Sequence, residues 1–270
     1  MTDDAVADEV LAAAGAGSAP GNGAGLTPFT DRDPGFDLPR AYRVAAAVMR
    51  ARAGRGEAPV GWKIGFTNRR MWDEYGVRAP VWAPVYDRTV APLDGTACAL
   101  AGFAEPRIEP EIVFRLARRP APGAGAEECL ACLDAVAHGF EVVQSLYPGW
   151  RFRAPDTVAA FALHGRLYHG PWIALDGPDW VDGLARFSTT LSRDGEVIDR
   201  GAAEAVLGSP LNALAHLVGG LAGTPFGRGL NAGDVVSTGT LTRACPIAPG
   251  ETWTSTLDGL PLPAITLSFA

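Results

Sequence analysis

Apolar and polar residues along this chain fall into two regimes. Up to residue 58 the sequence is rich in alanine with scattered charges, and from residue 59 onward short apolar runs are broken by glycine and proline. In the first regime, Thr2 or Asp3 caps an acidic, alanine-rich run that predicts a helix over Asp3 to Ala14. The stretch "GAGSAPGNGAG" (15–25) cannot bury a face and reads as a connector. A second helix is predicted from Pro39 to Arg52, with proline at a permitted first-turn position. In the second regime the runs "VGWKIGFT", "APVWAPVYD", "RIEPEIVFRL", "GRLYHGPWIAL", "ARFSTTLSRDGEVI", "GDVVSTGTL" and "PAITLSFA" have the length and punctuation of strands. Within the fifth, Asp194-Gly195 supplies the positive φ values of a tight hairpin. Two helices are expected among the strands, one from Glu127 to Phe140 and one starting at Ser209-Pro210. The pattern predicts an α+β fold, β-rich, with flanking helices and a small N-terminal helical part. Residues 1–58 form that helical segment and 59–270 the main domain.

One strand candidate carries charges where a buried strand should not. In "RIEPEIVFRL" (107–116), residues two apart share a face at roughly 6.6 Å, so Glu109 and Glu111 point together while Ile108 and Ile112 point the other way. On a water-exposed face the pair is a mild cost. Once buried, such carboxylates must neutralise, pair or coordinate a cation. Glu141, in "FEVVQS", lies where the helical stretch is expected to pass into the next apolar run and offers a third carboxylate. An all-oxygen, three-anion set suits a hard cation such as Mg²⁺ or Mn²⁺, with coordination positions left for substrate. Arg107 shares the glutamates' face by parity and can balance them, contact a substrate, or form a structural ion pair. Pro110 between the glutamates points to an edge strand or a bulge.

Composition narrows the classes of partner. The 270 residues are 47% hydrophobic, with 23 Lys+Arg against 30 Asp+Glu for a formal charge of −7, and no basic block is present to follow a phosphate backbone. Nucleic acid is excluded as the expected partner. No apolar run approaches the ~18 residues of a spanning helix, and the acidic "MTDDAVADEV" does not resemble a secretory signal, so a cytoplasmic protein is expected. Four cysteines are too few for a disulfide framework. Cys129 and Cys132, spaced CxxC, lack further ligands and read as ordinary helix residues.

"GWKIGFTN" (61–68), "YGVRAPVW" (75–82), "RIEPEI" (107–112), "FEVVQS" (140–145), "DTVAAFALHGRLYHG" (156–170) and "GDVVSTGTLT" (233–242) follow one another in an order that resembles the 2-keto-4-pentenoate hydratase group of the fumarylacetoacetate hydrolase superfamily. The resemblance runs from about residue 40 to the C-terminus. It implies a mixed β roll, a divalent metal held by Glu109, Glu111 and Glu141, and Lys63 in the active site. Physically, an ammonium there compensates charge or, with a depressed pKa, shuttles a proton; the glycines flanking it permit close approach of a ligand. Thr238, Gly239 and Thr240 offer hydroxyls and bare backbone for gripping a carboxylate, although threonine is also a routine strand former. His164 stands where relatives carry a small hydroxyl residue. It is either an acid–base group near neutral pH or a ring satisfied by its surroundings. His138 falls on a helix-like stretch and looks structural.

The chain also departs from the group's pattern, with Val81 at a position often acidic, Gln144 and Leu146 in place of Asp and Arg, and Ala160-Phe161 in place of Asp-Asn. Trp72, Tyr75, Trp82 and Tyr86 are candidates for a more aromatic pocket. The expected activity is a metal-dependent hydro-lyase on 2-oxo or enolised 2-hydroxy alkenoic acids, which offer a carboxylate and an adjacent oxygen as a chelate. Decarboxylation of a 2-oxo-enedioate and acylpyruvate C–C hydrolysis are the enzymatic alternatives, and a non-catalytic acid-binding member is a third. The resemblance also implies a homo-oligomer.

Overall fold

The computed structural model describes residues 1–16, 25–176 and 179–270, so the connector expected over 15–25 lies almost wholly outside the described residues. Helix α1 (Asp3–Ala16) precedes it; α2 (Phe29–Arg32) and α3 (Leu38–Gly54) follow. Asp37 caps α3 by accepting a hydrogen bond from Arg40 N at 2.9 Å, with Pro39 in the first turn. Val6 and Val10 of α1, Phe29, and Val44 and Val48 of α3 are buried in the same apolar cluster as Trp62, Ile64 and Leu214. The N-terminal helices thus help to bury one face of the sheet.

That sheet has nine strands. Its main path runs β2 (Val81–Tyr86), β1 (Pro59–Gly65), β10 (Val235–Thr240), β4 (Arg107–Leu116), β5 (Leu133–Val143), β6 (His164–His169), β3 (Val90–Pro92). Two short strands, β7 (Ile173–Ala174) and β11 (Cys245–Pro246), pair with β5 and β4 respectively. A second, four-stranded sheet orders β13 (Ile265–Ser268), β12 (Thr252–Asp258), β8 (Ser188–Arg193) and β9 (Glu196–Ala202). The β8–β9 hairpin turns at Asp194 and Gly195, with φ of 50° and 85°, as the Asp-Gly pair predicts. Ile108, Phe140 and Val142 of the large sheet pack with Trp253, Ile265 and Leu267 of the small one. Period-two alternation then turns Glu109, Glu111 and Glu141 to the opposite face. The remaining helices are α4 (Trp72–Tyr75), α5 (Ala126–Leu130), α6 (Ala154–Ala159), α7 (Trp180–Arg186) and α8 (Pro210–Leu221). Ser209 caps α8 through Leu211 N.

Two expectations are corrected here. The helix predicted over Glu127–Phe140 stops at Leu130, and Leu133–Val143 is a central strand. Nearly every residue of that strand is buried, so it lacks the alternation that marks a half-exposed strand and its apolar content fits a helix equally well. Glu141 is therefore mid-strand, and His138 is a strand residue too. Pro110 is not at an edge, because β4 lies between β10 and β5. The irregularity belongs to β10: its register steps from Ser237↔Val113 to Thr240↔Glu111, which accommodates one extra residue.

Candidate active site and metal centre

The pairing of β4 with β5 sets Glu109 directly opposite Glu141, and Glu111 opposite Gly139. Carboxylate oxygens of Glu109, Glu111 and Glu141 all come within 4.8 Å of one another. Glu111 and Glu141 are fully buried. Lys63, on β1, brings its Nζ to 3.0 Å from Glu141 Oε2. Three carboxyl groups and one ammonium therefore share a site, with Glu111 and Glu141 sealed in and Glu109 half-buried.

The bulge in β10 serves Glu111. Its Oε2 accepts hydrogen bonds from the Ser237 hydroxyl and, at 2.8 Å, from Gly239 N. Gly239 has φ +104°, and a Cβ there would lie 2.2 Å from Thr67 Oγ1, so only glycine suits the position. Glu111 Oε1 is buried with no hydrogen-bond partner. An orphaned carboxylate oxygen beside two further carboxylates is costly unless a cation completes it. The donor set, all oxygen and anionic, fits a hard divalent ion.

The charges act on one another. Burial pushes the Glu109 carboxyl up to about 7 against the pull of Lys63, and pushes Glu111 well up, helped by Glu141 and Glu109. Burial would raise Glu141 as well, but the Lys63 ammonium and the hydrogen bond from His164 outweigh it and hold that carboxyl at about 2. Burial opposes the charge on Lys63, yet Glu141, Glu109 and Glu111 together raise its pKa. In the absence of a metal ion these carboxylates favour the ammonium form of Lys63.

The site opens into a cavity of about 430 Å³ lined by Lys63 and Glu109 at one end. Arg107, Gly239 and Thr240 also line it. Arg107 lies with its guanidinium 3.9 Å from the Trp150 ring centroid and forms no ion pair among the described residues. Thr238 does not face the cavity: its hydroxyl donates to Ile112 O at 2.8 Å. Thr240 lines the cavity, but its hydroxyl donates to Thr242 O at 2.8 Å.

Of the two roles expected for His164, the contacts favour a ring satisfied by its surroundings. Its side chain is 1% exposed, with Nδ1 2.6 Å from Glu141 Oε1 and Nε2 2.9 Å from the Thr89 hydroxyl. It stands behind Glu141, outside the cavity lining, and burial lowers its pKa despite the neighbouring carboxylate. It is not placed to exchange protons with a substrate. Of the aromatic candidates, Tyr75 lines the cavity, while Trp82 packs against Tyr42 at 5.7 Å and Tyr86 lies under Arg52 at 3.8 Å. Gly61, expected to admit a ligand, instead admits β10, since a Cβ would sit 1.9 Å from Val235 O. Cys129 and Cys132 are free and buried, with no third ligand assembled among the described residues.

Ser237 and Thr89 escaped the sequence reading. Ser237 shares strand parity with Gly239, a signal available once the bulge is known; Thr89 has none, because its role depends on how β3 meets β6. Phe66, Trp150 and Phe152 are further cavity-lining residues without a recognisable spacing.

Known proteins share this arrangement of chain. Residues 83–265 match the family described as fumarylacetoacetate (FAA) hydrolase, C-terminal. The chain is 33% identical to 2-hydroxyhexa-2,4-dienoate hydratase of Comamonas testosteroni, over 87% of this chain and 88% of that protein. It is 35% identical to 2-keto-4-pentenoate hydratase of Burkholderia vietnamiensis, over 88% and 89%. Among solved structures, 4-oxalocrotonate decarboxylase from Pseudomonas putida G7, complexed with magnesium and adipate, superposes with a TM-score of 0.88 at 29% identity, covering 99% of this chain and 97% of that one. The predicted mixed β roll with flanking helices is the fold observed. Matches of this extent, along a chain whose ordered motifs already pointed there, make it a member of the fumarylacetoacetate hydrolase family.

Proposed function

We propose that this protein is a divalent-metal-dependent hydro-lyase that adds water to 2-oxo, or enolised 2-hydroxy, alkenoic acids of the 2-keto-4-pentenoate type. The observation that carries the reading is the buried cluster of Glu109, Glu111 and Glu141 facing Lys63 at one end of a cavity large enough for a small acid. Hydratases of such acids are among its relatives.

Glu109, Glu111 and Glu141 would hold Mg²⁺ or Mn²⁺, and the orphaned Glu111 Oε1 is the atom that most needs it. The ion, when bound, supplies Lewis-acid polarisation of the substrate's 2-oxygen. Arg107 faces the same cavity, has no ion-pair partner among the described residues, and receives the substrate carboxylate. The Lys63 ammonium has a proton to give and returns to the charged state readily, because three carboxylates favour it. Gly239 donates to Glu111 and so shapes the carboxylate rather than the acid. Across the reaction the 2-oxo-3-enoate form of the substrate gains one water: oxygen joins C4, the far carbon of the double bond conjugated with the 2-oxo group, and a proton joins C3.

The test mixes purified protein and Mg²⁺ with freshly generated 2-hydroxypenta-2,4-dienoate and follows the dienol absorbance. Metal-dependent loss with a hydroxy-oxo acid as product supports the reading; release of CO₂ from a 2-oxo-enedioate instead reassigns the chemistry. The assembly proposed is a homo-oligomer in the cytoplasm, the first part checked by light scattering. Among the described residues no helix is long and apolar enough to cross a membrane.

A further inference from the structure

Away from the carboxylates, the cavity is walled by rings. Phe66 and Tyr75 lie 5.1 Å apart between centroids, Tyr75 stacks on Phe152 at 5.6 Å and 23°, and Trp150 meets Phe152 at 6.1 Å. All four are half-buried and line the cavity. Rings such as Trp62, Trp253, Phe29, Phe114 and Phe140 are each 2% exposed or less, so the core has no need of these four. Phe66, Tyr75 and Phe152, half-buried beside a polar centre, have apolar area to bury against a ligand, whereas Trp150 lies under the Arg107 guanidinium at 3.9 Å.

The backbone under this wall is strained. Phe66 has φ +55° and Trp150 φ +58°, and two aliphatic lining residues, Ala162 and Leu163, have φ +48° and +65°. Bulky side chains rarely adopt the left-handed region, which costs roughly 1–3 kcal/mol per residue and persists where surroundings enforce it, often at ligand sites. Four such residues around one cavity are costly if the cavity only needs to hold a five-carbon chain. Polarity points the same way. Arg107 is stacked on Trp150, 3.9 Å from its ring centroid, and the other lining arginine, Arg243, already pairs with Asp199 at 3.4 Å. Among the described residues Glu109 is the one carboxylate that lines the cavity.

We propose that the acid bound here carries a flat apolar substituent, such as an aryl ring, at the end remote from its 2-oxo carboxylate, seated on Phe66, Tyr75 and Phe152. This rests on the proposed reading of the site, in which the carboxylate cluster and Arg107 fix the opposite end. The wall then selects among 2-oxo alkenoic acids by their tails.

The experiment is calorimetry on the Mg²⁺-loaded protein with three saturated acids that cannot be hydrated: 2-oxopentanoate, 2-oxo-5-phenylpentanoate and 2-oxohexanedioate. The phenyl acid should bind at least ~10-fold more tightly than 2-oxopentanoate, and Tyr75→Ala or Phe152→Ala should reduce that ratio. Equal affinities, or tightest binding of the dicarboxylate, overturn the proposal while leaving the metal-acid reading intact. If none of the three binds, the reading of the site itself fails, and the tail preference with it.

Discussion

Nδ1 of His164 lies 2.6 Å from Oε1 of Glu141, while Nε2 of the same ring lies 2.9 Å from the Thr89 hydroxyl. Burial disfavours the charged ring, so the neutral form donates from Nδ1 and accepts at Nε2. The contact fixes the orientation of one carboxylate of the triad. Replacing His164 by Ala should weaken Mn²⁺ binding by ~10- to 100-fold, the usual loss when a ligand's orienting partner is removed. Asn, whose amide N–H can occupy the Nδ1 position, should recover much of it. Titration followed by Mn²⁺ electron paramagnetic resonance reads both, and equal losses in the two variants would remove the orienting role.

Glu111→Gln should move stability and metal affinity in opposite directions. The side chain is buried among like charges with one oxygen unpartnered, so neutralising it relieves repulsion in the metal-free protein. Its thermal midpoint should rise without metal, the stabilisation by Mg²⁺ should shrink, and turnover should fall by more than ~100-fold, beyond the loss expected for an outer partner. A Gln variant that binds and turns over normally would refute the metal-site reading.

Lys63→Met removes the ammonium that contacts Glu141 within the cluster. Breaking a buried ion pair costs about 3–5 kcal/mol because the remaining charge is stranded. Urea unfolding of the metal-free variant should show a loss of this order, and saturating Mg²⁺ should restore a large part of it by supplying the missing charge. Turnover should stay low in either case, by ~10²- to 10⁴-fold, if Lys63 moves a proton. Full recovery of rate with metal would make Lys63 a charge compensator only.

His138 predicts an acid-sensitive fold independent of the carboxylates. Burial lowers its pKa from 6.5 to about 4, with Nδ1 donating to Pro263 O at 3.3 Å. The unfolded chain therefore takes up a proton near pH 6.5 that the folded ring refuses until about 4. This contribution is intact above pH 6.5 and lost as pH falls toward 4, by about 3 kcal/mol in total. Denaturation across that window should show the loss, and His138→Leu should flatten this part of it.

The parity of "RIEPEI" was readable in advance because a strand's period is two, and the distant Glu141 joined it through the ordered motifs. What escaped was set by partners remote in sequence. Leu133–Val143 is apolar on both faces, which erased the alternation that separates strand from helix. Thr238 and His164 have the chemistry of site residues, yet each spends its polar atoms on neighbours that only pairing supplies, Ile112 O and Glu141. Trp82 and Tyr86 were counted with Tyr75 by proximity in sequence. In the fold they pack against Tyr42 and Arg52, away from the cavity.

The carboxylates sit on adjacent, fully paired central strands, whereas the rings come from segments around residues 66–75 and 150–152 that lie outside the long strands. A one-residue slip of β5 against β4 would turn Glu141 away from its partners, so the reactive end tolerates almost no remodelling. The irregular segments carry no such constraint. Variants seeking a new substrate should therefore be drawn from those loops, leaving the chelating strands untouched.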